Sequence, residues 1–351
     1  MDRYIGLDAH ASSCTIAVIG PSGRRLRSQV LETNGRALID FIKTIPKPRH
    51  LCLEEGTQAS WLHEVLASHV QEIVVAGIVR SRGPKDDKRD AFGLAEKLRI
   101  GAIKTRVYKG TGEFGLLREL SRAYAMVVSD TVRVQNRIKS LYRSRGIPTG
   151  RKEVYAPAAR EKWLRKLPPR SRPLAEVLYQ ELEGLQDLQK HSKKQMVAEV
   201  SKHKISRILM TCPGMGVVRV AQLLPIVLTP YRFSGKRSFW AYGGMAIVMR
   251  SSSDWARARD GRWVRVAVQQ TRGLNRNYNH TLKRIFKGAA TTIIQCARRE
   301  DPLYRHYQQL LDGGTKPNLA KLTIARQIAA IVLAMWRSKE VYDPAKLKKM
   351  A

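Results

Sequence analysis

Four acidic side chains stand out by their positions. Asp8 ends a short apolar run, Tyr4 to Leu7, and Glu54 ends a second, Leu51 to Leu53. Asp87 and Asp90 lie in Lys85-Asp86-Asp87-Lys88-Arg89-Asp90-Ala91, where a helix is expected to open. A spacing of three puts Asp87 and Asp90 on one helix face. Carboxylates brought together from two strand ends and a helix start repel one another unless cations hold them. Magnesium suits such an oxygen-rich set, and a pair of ions stabilises both the attacking and the leaving oxygen of a phosphodiester displacement. Taken singly each acid has a plainer role: Asp8 as a turn cap, Glu54 as a surface residue beside Glu55, Asp87 as an N-cap. Their joint occurrence, in this order, in a very basic chain favours a metal site of Asp8, Glu54, Asp87 and Asp90. A second feature is the triplet Ser251-Ser252-Ser253 just after Arg250. A serine hydroxyl is a weak nucleophile unless activated, and most serine triplets are plain loops.

The 351 residues carry 64 Lys and Arg against 29 Asp and Glu, a formal charge of +35. A chain this basic repels itself unless a polyanion neutralises it, and nucleic acid is the first candidate because phosphate contacts release counterions. No run of about eighteen apolar residues marks a membrane span, and the start, MDRYIGLDAH, lacks a signal-peptide core; a cytoplasmic protein with no membrane partner is expected. Cys14, Cys52, Cys212 and Cys296 form no CxxC pair and sit among apolar neighbours, so buried free thiols are expected rather than zinc ligands. His10 and His280 lack Cys or His partners at ligand spacing and read as ordinary polar contacts.

The elements that must position the acids follow from pattern. Strands are expected at Tyr4 to Leu7, Cys14 to Ile19 and Arg24 to Leu31, then a helix capped by Asn34 with Leu38, Phe41, Ile42 and Ile45 on one face. A strand at Leu51 to Leu53, a helix through Trp61 to Leu66, a strand at Ile73 to Val79 and a helix at Asp87 to Arg99 complete an α/β order of the ribonuclease-H-like kind. Residues 113–145 repeat Leu116, Leu120, Val127, Val134, Ile138 and Leu141 at helical spacing, with Arg133, Arg137 and Arg143 among the cations on the remaining surface. A proline-punctuated, loosely structured connection (149–173) precedes a second long helix, 174–203, and the two are expected to pair as a coiled-coil-like arm. The boundaries that result are 1–110, 111–204 and 205–351.

In the last segment, Pro213-Gly214-Met215-Gly216 before an apolar helix, 217–227, reads as a helix-hairpin-helix whose turn amides at Gly214 and Gly216 hold a phosphate. Arg250 stands beside the serines, and Arg276 lies in a polar stretch, Arg272 to His280, suited to a nucleic-acid backbone. Mainly helical structure is expected here, with helices at 275–287, 302–311 and 318–336 and a frayed tail.

The blocks Gly6-Leu7-Asp8-Ala9-His10, Leu53-Glu54-Glu55-Gly56-Thr57 and Lys85 to Ala91, together with the Pro-Gly-x-Gly turn, resemble the DEDD-type insertion-sequence transposases, the recombinases guided by a bridge RNA. The resemblance runs nearly end to end. It implies a RuvC-like domain, a coiled-coil arm and a C-terminal transposase domain, with Mg2+ held by Asp8, Glu54, Asp87 and Asp90. It also implies a catalytic serine, placed on Ser252 by counting from Gly244; the family's Ser-Gly pair is missing, so Ser251, Ser252 and Ser253 all stay open. The implied chemistry is serine attack on a DNA phosphodiester, a phosphoserine intermediate and religation. The implied partners are donor and target DNA, a structured guide RNA, and further copies of the chain in a dimer or tetramer. Two other readings compete: a metal-dependent RuvC-like nuclease or Holliday-junction resolvase with no covalent intermediate, and a non-catalytic nucleic-acid scaffold, which has no use for clustered acids.

Overall fold

The computed structural model describes residues 1–77, 86–104, 106–107, 112–150, 152–250, 255–265, 270–296 and 300–349. It divides into two packing units, Met1–Gly110 and Thr111–Ala351. In the first, β1 (Arg3–Ala9), β2 (Ser13–Ile19) and β3 (Arg25–Glu32) form an antiparallel meander. On the other side of β1, β4 (Arg49–Glu54) and β5 (Glu72–Ala76) add in parallel, giving the order β3-β2-β1-β4-β5. Residues 78 and 79, the end of the expected strand 73–79, lie outside the described residues.

Alternation along the strands sorts side chains onto two faces. Ile5 and Leu7 of β1 and Leu51 and Leu53 of β4 pack with α1 (Gly35–Lys43) and α2 (Ala59–Leu66) through Leu38, Phe41, Ile42, Leu62 and Leu66. Asn34 caps α1, its side chain accepting the Arg36 amide at 2.9 Å. The opposite face takes α3 (Asp87–Arg99): Ala91 and Ala95 meet Ala17 and Ile19, and Leu94 and Leu98 meet Cys52, Val74 and Ala76.

One contact sets the position of α3. A Cβ at Gly6, in the middle of β1, would lie 1.8 Å from the Ala91 carbonyl oxygen and 2.7 Å from the Ala95 amide nitrogen. Helix backbone therefore lies directly on strand backbone, with Ala91 and Ala95 small enough to allow it. Two residues beyond Gly6, on the same face, stands Asp8; one turn before Ala91 stands Asp87.

In the second unit, α4 (Gly115–Arg143) and α6 (Arg172–Ser201) lie antiparallel: the Tyr142 and Tyr179 hydroxyls meet at 3.0 Å, and at the other end His203 faces Glu113 at 3.7 Å. The segment read as loosely structured is ordered instead. It holds α5 (Arg160–Lys166) and short 3-10 turns, and Val154, Trp163 and Leu167 are buried with Ile138, Tyr142 and Tyr179. Its prolines start turns rather than loosen the chain.

Leu117 of α4 and Met196 and Val200 of α6 share a core with α7 (Lys204–Met210), α8 (Val217–Val227), α9 (Lys236–Tyr242), α10 (His280–Cys296), α11 (Pro302–Asp312) and α12 (Pro317–Ser338). α12 is long and apolar enough to cross a membrane, yet Ile324, Ile328 and Val332 are fully buried in this core.

Several expectations are corrected here. Two antiparallel ribbons occupy the stretch read without strands: β6 (Ile247–Arg250) with β9 (Gln270–Leu274), and β7 (Trp255–Arg257) with β8 (Trp263–Arg265). The helix expected from 275 begins at His280 because Asn279 caps it, accepting the Leu282 amide at 2.9 Å. The tail forms a 3-10 turn, Pro344–Lys349, with Leu347 against the core. Cys296, expected to be buried, is exposed at the end of α10, whereas Cys14, Cys52 and Cys212 are buried.

The backbone contact at Gly6 predicts a paired outcome. Gly6→Ala forces α3 away and costs about 1–3 kcal/mol, as overpacking does, seen as a lowered Tm. Gly93→Ala, at a helical position with nothing within 4 Å, raises the Tm, since Ala exceeds Gly in a helix by roughly 0.5–1 kcal/mol.

Candidate active site

β1 delivers Asp8 to the edge of the sheet, on the α3 face. Cys52 lies on that same face of β4, packed against Leu94 and Leu98, so alternation puts Glu54 there too. The pairing of Leu7 with Leu53 continues to Asp8 and Glu54 at the two strand ends, with strands about 5 Å apart. Glu55 takes a different role: it is exposed, and its amide donates to the Ala76 carbonyl at 2.8 Å.

At the start of α3 the acids divide their work. Asp86 is the N-cap, its carboxylate accepting the Lys88 amide at 3.1 Å. That leaves Asp87 free to face β1. His10 Nε2 lies 3.4 Å from Asp8 Oδ2 and 3.3 Å from Asp87 Oδ1, bridging strand and helix. Among the described residues, Asp8, His10 and Asp87 each offer one ligand atom, and these atoms lie within 4.8 Å of one another. The Asp8 carboxyl is pushed above its ordinary value, chiefly by burial; His10 opposes the rise, and the negative charges of Asp87 and Asp90 add to it. Asp90 thus acts on the same spot, one helical turn along from Asp87.

Three of the four sequence-predicted acids therefore act on one point electrostatically, and Glu54 stands at the neighbouring strand end. His10, read as an ordinary contact, is the residue that pattern reasoning missed. Its signal was its spacing from Asp8: two residues apart in extended chain, the side chains share a face.

The donor set fits a divalent ion on chemical grounds. Oxygen ligands and an imbalance of negative charge suit Mg2+ or Mn2+, and an imidazole adds a donor acceptable to Mn2+ more than to Mg2+. Burial that raises Asp8 is a cost that a cation at this point would offset.

Ser251, Ser252 and Ser253 lie outside the described residues; Arg250 ends β6, paired with Gln270. On the arm, Arg133 pairs with Asp130, Arg137 reaches Glu181 at 3.5 Å and Arg143 donates to Thr149 at 3.1 Å. Gly214 has φ +75°, and a Cβ there would lie 2.6 Å from the Ala289 carbonyl oxygen, so the turn rests on α10. Arg219 locks the two together, donating to the Gly214 and Gly288 carbonyls at 2.6 and 3.0 Å. Gly216 precedes α8, with open space around it, and Arg276 is exposed.

Residues 5–144 match a family model of transposases of the IS110 DEDD type, and residues 206–305 match one described as transposase, IS116/IS110/IS902 family. No curated protein matches the chain.

The geometry predicts coupling between ion binding and stability. Mn2+ or Mg2+ raises the Tm of the purified chain by mass action, about 2.7 kcal/mol at a hundredfold excess over Kd, and Asp8→Asn abolishes the rise. Thermal melts with and without EDTA measure it; an equal rise in the variant excludes this site.

Proposed function

The chain belongs to the IS110-family transposases, and from that premise we propose that it cuts and rejoins DNA through a metal-bound acidic site and a serine nucleophile. The first unit's sheet order, an antiparallel meander extended by two parallel strands, supports a ribonuclease-H-like, RuvC-like domain. The observation that carries the reading is the meeting of Asp8, His10 and Asp87 at the end of β1, with Asp90 acting on Asp8. In this reading Asp8, Glu54, Asp87 and Asp90 hold Mg2+ or Mn2+. When bound, the metal supplies Lewis-acid charge to the scissile phosphate. His10 holds Asp8 and Asp87 at ligand distance before an ion arrives, so the site loses little on assembly.

The serine is Ser252, or its neighbour Ser251 or Ser253. Its Oγ attacks the phosphorus, giving up its proton. The displaced sugar oxygen leaves as a hydroxyl, and the other DNA end stays linked as a phosphoserine. Attack by a hydroxyl of a second strand reverses the step and reseals DNA in a new arrangement. Arg250, next to the triplet, offsets the charge that develops on the phosphate.

Guide RNA fits the distribution of charge. Most of the +35 excess lies in the second unit, where 46 Lys and Arg stand against 17 Asp and Glu, and Arg133, Arg137, Arg143, Gly214, Gly216 and Arg276 offer backbone contacts without a compact base-reading motif, which leaves sequence choice to base pairing. Donor and target DNA, a structured RNA and a homo-oligomer, dimer or tetramer, are the partners of this reading.

A plasmid recombination assay with covalent-adduct trapping tests it. Wild type yields recombinant DNA and a protein–DNA adduct. Asp8→Asn loses product by a factor of 100 or more, on the order expected for a removed metal ligand. The triple Ser251→Ala, Ser252→Ala, Ser253→Ala variant loses both adduct and product. Persistent metal-dependent cleavage in the triple variant sinks the serine step and points to a simple nuclease. A discrete RNA species co-purifying with the protein, read by sequencing, is the expected outcome for guidance; recovery of random host RNA alone counts against it.

A further inference from the structure

The basic charge of the second unit is unevenly compensated. Arg133, Arg137, Arg160, Arg165, Lys190 and Lys202 each pair with a carboxylate of the same unit. One cleft gathers several cations that have no such partner. An open cleft of about 540 Å³ is lined by Lys283, Arg284 and Lys287 of α10 and by Lys321 of α12, with Tyr278 and His280 completing its wall. No carboxylate lines it, and none of these four cations makes an ion pair among the described residues.

The arrangement is built rather than incidental. Lys283, Arg284 and Lys287 fall on one face of α10, with about 6 Å of rise from Lys283 to Lys287. The Tyr278 ring lies flat on Gly244, where a Cβ would come within 2.2 Å of it. Lys283 Nζ sits 4.2 Å from the Tyr278 centroid, and the exposed His280 ring lies tilted against Tyr278, the ring centroids 4.4 Å apart. Thr291, whose hydroxyl donates to the Lys287 carbonyl at 2.9 Å, also lines the cleft. Gly288, which lines it as well, leaves room for the Arg219 guanidinium, which donates to the Gly288 and Gly214 carbonyls and so ties this part of α10 to the Pro-Gly-Met-Gly turn.

We propose that this cleft binds the backbone of an unpaired nucleic-acid strand, with phosphates on Lys283, Arg284, Lys287 and Lys321 and a base on the exposed His280 ring. Uncompensated cations in a row track a sugar-phosphate chain, and an aromatic ring beside them needs an unstacked base, which a duplex does not offer. The cleft also lies at the end of the β6–β9 ribbon where Ile247 pairs with Leu274, and β6 leads from there toward the serine triplet. A strand held here lies by the ribbon whose β6 ends at Arg250, one residue before the triplet in sequence. This placement rests on the transposase reading only for the role of the strand; the binding itself does not.

The test is fluorescence anisotropy on the full chain in EDTA, with single-stranded DNA, single-stranded RNA and duplex DNA of one sequence as probes, across a salt series. The triple variant Lys283→Gln, Arg284→Gln, Lys287→Gln is compared with Arg24→Gln, Lys43→Gln, Lys47→Gln, which removes equal charge from exposed positions of the first unit. The cleft variant is expected to lose tenfold or more in affinity for at least one single-stranded probe, with the salt slope reduced by about 2, at roughly 0.7 per phosphate contact. The control variant loses much less, and which single strand is affected identifies the natural ligand. His280→Ala lowers single-strand affinity severalfold with the slope unchanged. Equal losses in the two triple variants, a loss confined to duplex, or full affinity in His280→Ala overturns the proposal. Because the measurement is made in EDTA and no cleavage is read, failure of the catalytic reading leaves this result untouched.

Discussion

Everything in the first unit that bears on chemistry depends on one backbone-to-backbone contact, the seating of α3 on β1 at Gly6. Helices usually stand off a sheet by the length of their side chains, about 10 Å between axes and sheet plane. Here the Ala91 carbonyl occupies the space a Cβ would fill. The helix start is thereby brought low over the end of β1, and Asp87 reaches the same point as Asp8. A standard separation would leave the two carboxylates too far apart to share an ion or a histidine. The cost is electrostatic. Asp8 is partly desolvated and faces two further acids, which is why its carboxyl is raised. A single imidazole, His10, touches both chain segments and offsets part of that repulsion. The fold thus imposes an unfavourable charge arrangement at one edge and leaves it for a cation to resolve, as functional sites commonly do.

How much of this was legible in the sequence follows from the range of each interaction. Apolar runs ending in an acid located β1, β4, Asp8 and Glu54, because strand pattern is local. The Asn34 cap and the helix opening at Asp86–Asp87 were equally local, and the three-residue spacing of Asp87 and Asp90 identified the pair. Gly6 was not legible as a seat: alone in a strand it reads as a weak point, and its partner, Ala91, lies on an element far along the chain. His10 was missed because metal-ligand spacing rules look for several His or Cys, whereas this one acts between two carboxylates. The ribbons β6–β9 and β7–β8 were hidden since each strand is only three to five residues long and interrupted by Arg, Ser and Gly. The ordered segment between α4 and α6 was misjudged from its prolines, although Trp163 and Val154 carried the apolar content that anchors it.

Two parts of the second unit treat charge differently, and the difference separates structure from function. Along α4 and α6 several cations are matched by acids three residues away or across the helix pair, as Arg133–Asp130 and Arg137–Glu181 show. Exposed pairs of this kind contribute little to stability, about 0–1 kcal/mol each, but they lower the field those helices project. Where no acids accompany the cations, as on the cleft face of α10, the full field remains. A net charge of +35 is a total and says nothing about location; location follows from which cations the protein leaves without a partner.

The same logic bears on the Pro-Gly-Met-Gly turn. A hairpin turn that holds phosphate through its amides must be rigid, since free amides that wander gain nothing from the ligand. Rigidity here comes from behind: Gly214 is pressed on the Ala289 carbonyl, and Arg219, buried enough that its pKa is lowered, spends its donors on Gly214, Gly288 and Thr292. Arg219 is therefore a brace and not a phosphate ligand, although by residue type it would be counted among the binding cations. Gly214 is required for packing, whereas Gly216 has open space around it and, in the transposase reading, leaves an approach to the start of α8, so that the two glycines of one motif serve two purposes. Spacing alone cannot divide those purposes, because the division is made by α10, which arrives from seventy residues later in the chain.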